Sequence, residues 1–213
     1  MPDRAYFRHD VHAIIPRMDL TARVTTHFRD AIALHEHALD TLPVLTATAI
    51  EAIFFAIAND GKVLACGNGA SAADAQRFVS HLVGRFERER MPLAALALSA
   101  DTTLLTGISN DLGYDRVFSQ QIHALGHPGD ILVVLSASGN SPSVLQAVVA
   151  AHERDMRVIA LTGHGGGDVA ALLTEEDIHL SVPHERPSRI QEIHLLLLHA
   201  LCDGMDAQLL GEA

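Results

Sequence analysis

Five short apolar runs alternate with helical patterns along this chain, and the alternation sets its fold class. The runs occupy residues 63–66, 93–98, 131–135, 157–161 and 178–182, and their polar exceptions are Arg157, His179 and Ser181. Strands that alternate with helices pair in parallel, and strands that are apolar throughout are buried on both faces. The sequence therefore predicts one α/β domain over residues 18–213, with a five-stranded, doubly wound parallel sheet, helices on both faces and an N-terminal helical pair.

The first apolar run ends in a glycine turn that opens a helix. Gly67-Asn68-Gly69 follows the run directly, and Ser71 is placed to cap the helix. A helix N-terminus offers unpaired N–H groups and the positive end of a dipole, which favours phosphate, although similar turns occur where nothing binds. Ala72 occupies the third glycine position of a dinucleotide fingerprint, so a nicotinamide cofactor is not expected.

A second turn of this kind follows the third apolar run. It reads Ser136-Ala137-Ser138-Gly139-Asn140-Ser141-Pro142-Ser143. The four serine hydroxyls add side-chain donors to the N–H groups of the helix that begins there. An ordinary capped loop is the alternative interpretation, but the serine content favours phosphate binding. In a doubly wound sheet both turns should lie at the switch point, where ligands bind.

The N-terminal part of the chain precedes the first strand. Residues 1–17 show no sustained period and contain two prolines, which predicts a poorly ordered leader, with Met18 as an alternative start. Two amphipathic helices are expected at about 21–42 and 45–58, interrupted by Pro43. Because they carry more apolar surface than a solvated helix needs, we expect a homo-oligomer.

Composition and charge narrow the partners and the compartment. The net charge of −11 argues against a surface that binds nucleic acid directly. Cys66 and Cys202 lie in apolar segments, where small buried thiols are expected, and nothing indicates a disulfide framework. The uncharged apolar runs are too short to span a bilayer. These features predict a cytoplasmic protein with no direct contact with nucleic acid or membrane.

Five motifs stand together as a set. They occupy residues 67–76, 110–113, 136–141, 161–163 and 189–194. The set resembles the sugar isomerase (SIS) domain of phosphoheptose isomerases, which also occurs in the related DnaA initiator-associating protein, and the resemblance covers about residues 21–210. It implies a ligand of the sedoheptulose 7-phosphate type, a homotetramer with shared sites, and zinc in many members. The implied substrate- or phosphate-binding residues are Asn68, Gly69, Ser71, Asp111, Ser136, Ser138 and Ser141.

The chain departs from the family pattern at three positions. Ala137 replaces the middle hydroxyl of a Ser-Thr-Ser loop, which predicts weaker phosphate binding. Arg77 and His81 occupy the positions at which isomerases carry a metal-binding His and Glu. Arginine stays protonated and repels a cation, so no cofactor is expected. If zinc binds, as the resemblance allows, its ligands are His81, Gln191 and His199.

The changed site leaves two functions open. The first is an aldose–ketose isomerase in which His81 or His199 exchanges a proton between C1 and C2, while Arg77 supplies positive charge. The second is a non-catalytic regulator that keeps the sugar-phosphate scaffold and binds the replication initiator DnaA. Gln191 and His199 are retained on one face of the last helix, which favours the isomerase. With 14 histidines in the chain, either site histidine could instead be an ordinary polar group at an interface.

Overall fold

The computed structural model describes residues 18–211, so the leader predicted for residues 1–17 lies outside the described residues. The chain divides into two compact units, one up to Ala33 and one from Leu34 onward. The described part of the first unit is helical, and Asp19 begins the helix because its Oδ1 accepts a hydrogen bond from the N–H of Ala22 at 3.0 Å. The second unit contains the whole sheet.

The elements follow one another along the chain in the predicted alternation. They are α1 (Leu20–Leu39), α2 (Leu42–Ala58), β1 (Val63–Gly67), α3 (Ala70–Val83), β2 (Ala95–Ala97), α4 (Thr102–Leu112), a 3-10 turn (Tyr114–Arg116), α5 (Ser119–Leu125), β3 (Ile131–Ser136), α6 (Pro142–Glu153), β4 (Arg157–Thr162), α7 (Gly167–Leu172), β5 (Ile178–Ser181) and α8 (Pro187–Leu210).

The five strands form one parallel sheet in the order β2-β1-β3-β4-β5. The chain runs outward from β1 to β2 and then returns to the other side of β1 to form β3. The switch point therefore lies between β1 and β3, where Gly67 pairs with Leu135. This topology confirms the predicted doubly wound sheet and brings the ends of the two turn-bearing strands together.

Helices cover both faces of the sheet. On one face α2, α3 and α8 pack their apolar side chains, among them Ile53, Phe78 and Leu198, against the strands. On the other face α5 and α6 contribute Ile122 and Val148. Full burial of such a side chain stabilises the fold by about 1.5–3 kcal/mol relative to exposure. The central strands β1 and β3 are buried at every position, as their uniform apolar sequence predicts.

Three local expectations are wrong. The edge strand β2 is not buried on both faces, because Leu96 is 42% exposed. The sequence Asn110-Asp111-Leu112-Gly113 is typical of a loop and predicts one there, but residues 110–112 form the last turn of α4, whose start is capped by Asp101. Pro43 does not separate the first two helices but lies in the first turn of α2, where its missing N–H costs nothing.

The last helix is apolar enough, by length and composition alone, to qualify as a membrane span. In the structure it is a core helix, since Leu197, Leu201 and Met205 are buried within the domain. Cys202 on this helix and Cys66 on β1 are buried free thiols, as predicted. Burial raises the pKa of both thiols, that of Cys202 to about 12, so neither is a reactive thiolate at neutral pH.

Candidate active site

A cleft of about 270 Å³ opens where β1 and β3 end. It is lined by Asn68, Ser71, Leu135, Ser136, Ala137, Ser138, Ser141, Pro187 and Gln191. The structure thus brings the three serines proposed for phosphate together with Asn68, Ser71 and Gln191. The glycine turn, the serine turn and the start of α8 meet there because the switch point places their strands side by side.

The serine turn is held by its backbone against the loop that follows β4. The N–H of Gly163 donates to the carbonyl of Ala137 at 3.1 Å, and the N–H of Val169 donates to that of Gly139 at 2.9 Å. Gly139 has a φ of +67°, and a Cβ there would lie 1.9 Å from the carbonyl oxygen of Gly166. Only glycine fits this close approach, so the turn has a fixed shape before any ligand arrives.

The hydroxyls of the turn are arranged to donate. Ser136 Oγ accepts from the N–H of Gly139 at 3.1 Å, and Ser138 Oγ accepts from the N–H of Asn140 at 3.2 Å. Because each oxygen already accepts a backbone proton, its own O–H is available to an anion. Ser141 precedes the first residue of α6 and makes no side-chain cap. Pro142 has no N–H and the N–H groups of Val144 and Leu145 donate to the Ser141 carbonyl, which leaves the N–H of Ser143 as the backbone donor available to an anion at this helix start.

Asn68 joins the glycine turn to the serine turn. Its Nδ2 donates to Ser141 Oγ at 2.6 Å and to Ser143 Oγ at 2.9 Å. The hydroxyl of Tyr114 donates to Asn68 Oδ1 at 2.8 Å. The sequence alone did not single out Tyr114 or Ser143 as members of this network, because both reach Asn68 across more than forty residues of chain.

The start of α3 differs from the expectation in one detail. Gly69, with a φ of +59°, precedes the helix and Ser71 lies inside the first turn, with no side-chain cap. The capping role predicted for Ser71 is therefore wrong. Its side chain is instead buried at the wall of the cleft, which leaves it as a candidate ligand contact.

Two histidines face each other where α3 packs against α8. The ring centroids of His81 and His199 are 5.9 Å apart, and Phe86 contacts both rings at 5.1 and 5.5 Å. Both imidazoles are half-buried. Gln191 lies two turns before His199 on α8, so one helix links the cleft to the histidine pair.

Asp74 also belongs to the site. It lies within the motif at 67–76 but is not among the site residues predicted from the sequence. It occupies the buried side of α3, and burial raises the pKa of its carboxyl, while the positive charges of Arg77 and His199 oppose the shift. This carboxyl therefore lies within electrostatic range of both residues. Arg77 itself is exposed on the same helix.

Asp111 is not brought to the cleft. It lies exposed at the end of α4, where its Oδ1 accepts from Asn110 Nδ2 at 2.9 Å. Its assignment to the sugar stays a prediction.

The family positions for zinc carry a changed set of side chains. Within residues 18–211, no three His, Cys, Asp or Glu side chains lie close enough to share a metal ion. Zinc sites use about four N, O or S ligands, and here a guanidinium stands at one family position. The side chains at these positions and beside them are imidazoles, an amide, a carboxyl and a guanidinium.

Comparison with known proteins gives a consistent result. The SIS domain family matches residues 26–163. The phosphoheptose isomerase of Bordetella avium is 60% identical over 195 residues, which cover 92% of this chain and 99% of that protein. The phosphoheptose isomerase of Neisseria gonorrhoeae is 56% identical over 191 residues, covering 90% and 97% respectively.

Solved structures agree with the sequence comparison. The phosphoheptose isomerase structure from Neisseria gonorrhoeae matches with a TM-score of 0.85 and 53% identity, covering 88% of this chain and 99% of that one. The structure from Francisella tularensis matches with a TM-score of 0.86 and 41% identity, covering 89% and 99%. The chain therefore belongs to the phosphoheptose isomerase family of SIS-domain proteins.

Proposed function

We propose that this protein is a phosphoheptose isomerase that interconverts sedoheptulose 7-phosphate and an aldoheptose 7-phosphate. The observation that carries the proposal is the cleft at the switch point, where Ser136, Ser138 and Ser141 converge beside the helix that bears Gln191 and His199. The relatives' names support the isomerase over the DnaA-associating regulator.

The serine turn receives the phosphate of the substrate. Hydroxyl donors and the positive end of the α6 dipole stabilise a dianion, although the cleft lining includes no Lys or Arg. With the phosphate anchored there, the open-chain sugar extends along α8, past Gln191 and toward the histidine pair. The anchored end holds the reacting end in place, which lowers the entropic part of the barrier.

The histidine pair exchanges the proton. In the ketose, a base removes a proton from C1 while the C2 carbonyl oxygen gains one, which gives an enediol; return of a proton to C2, with loss of the O1 proton, gives the aldose. His81 and His199 face each other closely enough to act on neighbouring atoms of one substrate. Arg77 stabilises the developing negative charge of the enediolate. The Asp74 carboxyl lies within electrostatic range of both Arg77 and His199.

The reaction is metal-independent in this proposal. The support is the donor set of the described residues and the guanidinium at a family ligand position. A permanent cation beside a divalent ion is unfavourable, whereas the same cation attracts a sugar phosphate or an enediolate.

The active form is a cytoplasmic homotetramer in this proposal. One side of α1 exposes Leu20, Val24, Phe28 and Ile32 at successive four-residue intervals, each more than half exposed. Such a stripe on a helix is typical of a surface that packs against another copy of the chain. Light scattering that finds a monomer with intact helical signal would contradict the assembly.

The decisive experiment is turnover of sedoheptulose 7-phosphate by purified protein, with and without a chelator. We expect activity that the chelator leaves unchanged. His199→Gln should lower kcat by roughly a hundredfold or more, the usual loss when a general acid–base is removed. His123→Gln, which changes an exposed histidine on α5, is the matched control and should retain full activity. A folded wild type that binds the substrate but does not convert it contradicts the isomerase proposal.

A further inference from the structure

The amide of Asn68 has both ends occupied. Its Nδ2 contacts two serine hydroxyl oxygens, those of Ser141 at 2.6 Å and Ser143 at 2.9 Å, and its Oδ1 contacts the hydroxyl of Tyr114 at 2.8 Å. Ser143 is buried and Tyr114 is 52% exposed. Of these partners, Ser141 lines the cleft.

The direction of these hydrogen bonds decides what Ser141 offers a ligand. When the Asn68 NH₂ group faces the serines, both Oγ atoms accept its protons. Ser141 then has its own O–H to donate, either into the cleft or across the longer 3.5 Å contact with Ser143 Oγ, and an anion in the cleft is the stronger acceptor. When the amide is turned over, Oδ1 faces the serines, and the Ser141 hydroxyl donates its proton to Asn68 Oδ1 instead of to a ligand. An anion needs the first arrangement, because a hydroxyl oxygen without a free proton repels it.

We infer that Tyr114 is a positioning residue that holds the Asn68 amide in the orientation that directs the Ser141 proton toward the phosphate. The inference rests on the proposed phosphate site. The Tyr114 hydroxyl donates to Oδ1, and this bond keeps the NH₂ group turned toward Ser141 and Ser143. Tyr114 never touches the ligand in this arrangement; it acts through Asn68.

The test is a pair of double-mutant cycles in the full-length protein, read by calorimetry with inorganic phosphate and with sedoheptulose 7-phosphate. Tyr114→Phe removes one oxygen from a half-exposed ring and leaves the ring in place. We expect it to weaken phosphate binding roughly three- to tenfold, and Ser141→Ala to weaken it roughly tenfold, the usual scale for hydrogen bonds to a charged group. The variant carrying both changes should bind no more weakly than Ser141→Ala alone, because both remove the same donor.

Ser138 supplies the matched control, since its hydroxyl is oriented by the N–H of Asn140 and not by Asn68. The effects of Tyr114→Phe and Ser138→Ala should therefore multiply. In turnover, Tyr114→Phe should raise KM with little change in kcat, as expected for lost phosphate binding. A merely structural role predicts effects that multiply in both cycles, and that result overturns the inference, as does unchanged affinity in Tyr114→Phe. Phosphate binding with the expected coupling but no turnover would overturn the isomerase and leave this inference standing.

Discussion

Arg90 and Asp206 form an ion pair in which Nε and Oδ1 are 2.6 Å apart and both side chains are almost completely buried. The same guanidinium donates to the carbonyl oxygens of His81, Leu82 and Met91. His81 and Leu82 belong to the last turn of α3, whereas Asp206 lies on α8. Arg90 therefore pairs the free carbonyls at the end of α3 and ties that end to the helix that bears the second site histidine.

Removing one member of this pair should be costly. Arg90→Ala leaves the buried Asp206 carboxylate without its partner and should lower the free energy of unfolding by about 3–5 kcal/mol. Urea denaturation measures the change. Replacing both partners together, as Arg90→Met with Asp206→Leu, should recover most of the loss, because no buried charge then remains unpaired. A loss in Arg90→Ala no larger than that of a typical surface substitution would show that the pair does not stabilise the fold.

Gly139→Ala should disrupt the serine turn. Its positive φ costs an alanine about 1–2 kcal/mol, and the added Cβ also overlaps the carbonyl oxygen of Gly166. We expect a loss of stability beyond the conformational cost, together with loss of phosphate binding in calorimetry. Gly129→Ala is the matched control, since Gly129 has a φ of +86° and open space around its missing Cβ. If the two variants lose equal stability and both keep phosphate binding, the close approach at Gly139 is unimportant.

Two substitutions should give this protein a zinc site. Arg77→His together with His81→Glu restores the family pair, and the added carboxylate neutralises charge at the site. We expect this variant to retain zinc after purification while the wild type does not, as measured by elemental analysis. His81→Glu alone keeps the guanidinium and should bind little zinc. Stoichiometric zinc in the wild type, with activity lost to a chelator, would refute metal independence.

Stability should fall in mild acid because of His194, which is completely buried on α8. Its Nε2 donates to the carbonyl of Thr162 at 3.1 Å, and burial lowers the pKa of the imidazole to about 4. An unfolded histidine has a pKa of about 6.5. Between these pH values the histidine is protonated in the unfolded chain but not in the folded protein. The contribution of His194 to the free energy of unfolding is therefore complete above pH 6.5 and falls as the pH drops toward 4, by roughly 3 kcal/mol in all.

His194→Gln tests this share of the pH dependence. Glutamine can keep a donor near the Thr162 carbonyl but does not titrate. Urea unfolding between pH 7 and pH 4.5 should therefore show a flatter profile than the wild type. His179 keeps its own lowered pKa in this variant, so part of the slope remains. Parallel profiles for the two proteins would exclude His194 as a source of the acid sensitivity.

The sequence predicted the sheet because its signal is local. Runs such as 131–135 and 158–161 are apolar at every position, and the glycine and serine turns mark where strands end. Alternation and handedness leave several strand orders open. The position of the switch point between β1 and β3 comes from the strand order in the structure. The phosphate cleft could be predicted, since the carboxyl ends of neighbouring strands share one edge of the sheet.

The features that the sequence did not predict depend on contacts between distant parts of the chain. No local pattern tells which residue will meet Asn68, and Tyr114 reaches it only because the 3-10 turn after α4 returns to the switch point. The predicted cap at α3 is wrong because Gly69 precedes the helix, which therefore begins two residues earlier than a cap at Ser71 implies. Leu96 looked like a core residue because its neighbours are apolar, whereas its position at the sheet edge decides its exposure.

The backbone hydrogen bonds that hold the serine turn allow its side chains to change during evolution. The carbonyl of residue 137 is what the N–H of Gly163 binds, and that carbonyl is the same whatever side chain the residue bears. Threonine can therefore replace Ala137 without moving the hydroxyls of Ser136 and Ser138. Substitutions at this turn can therefore change ligand affinity by one hydroxyl donor at a time, while the backbone that positions the donors stays the same.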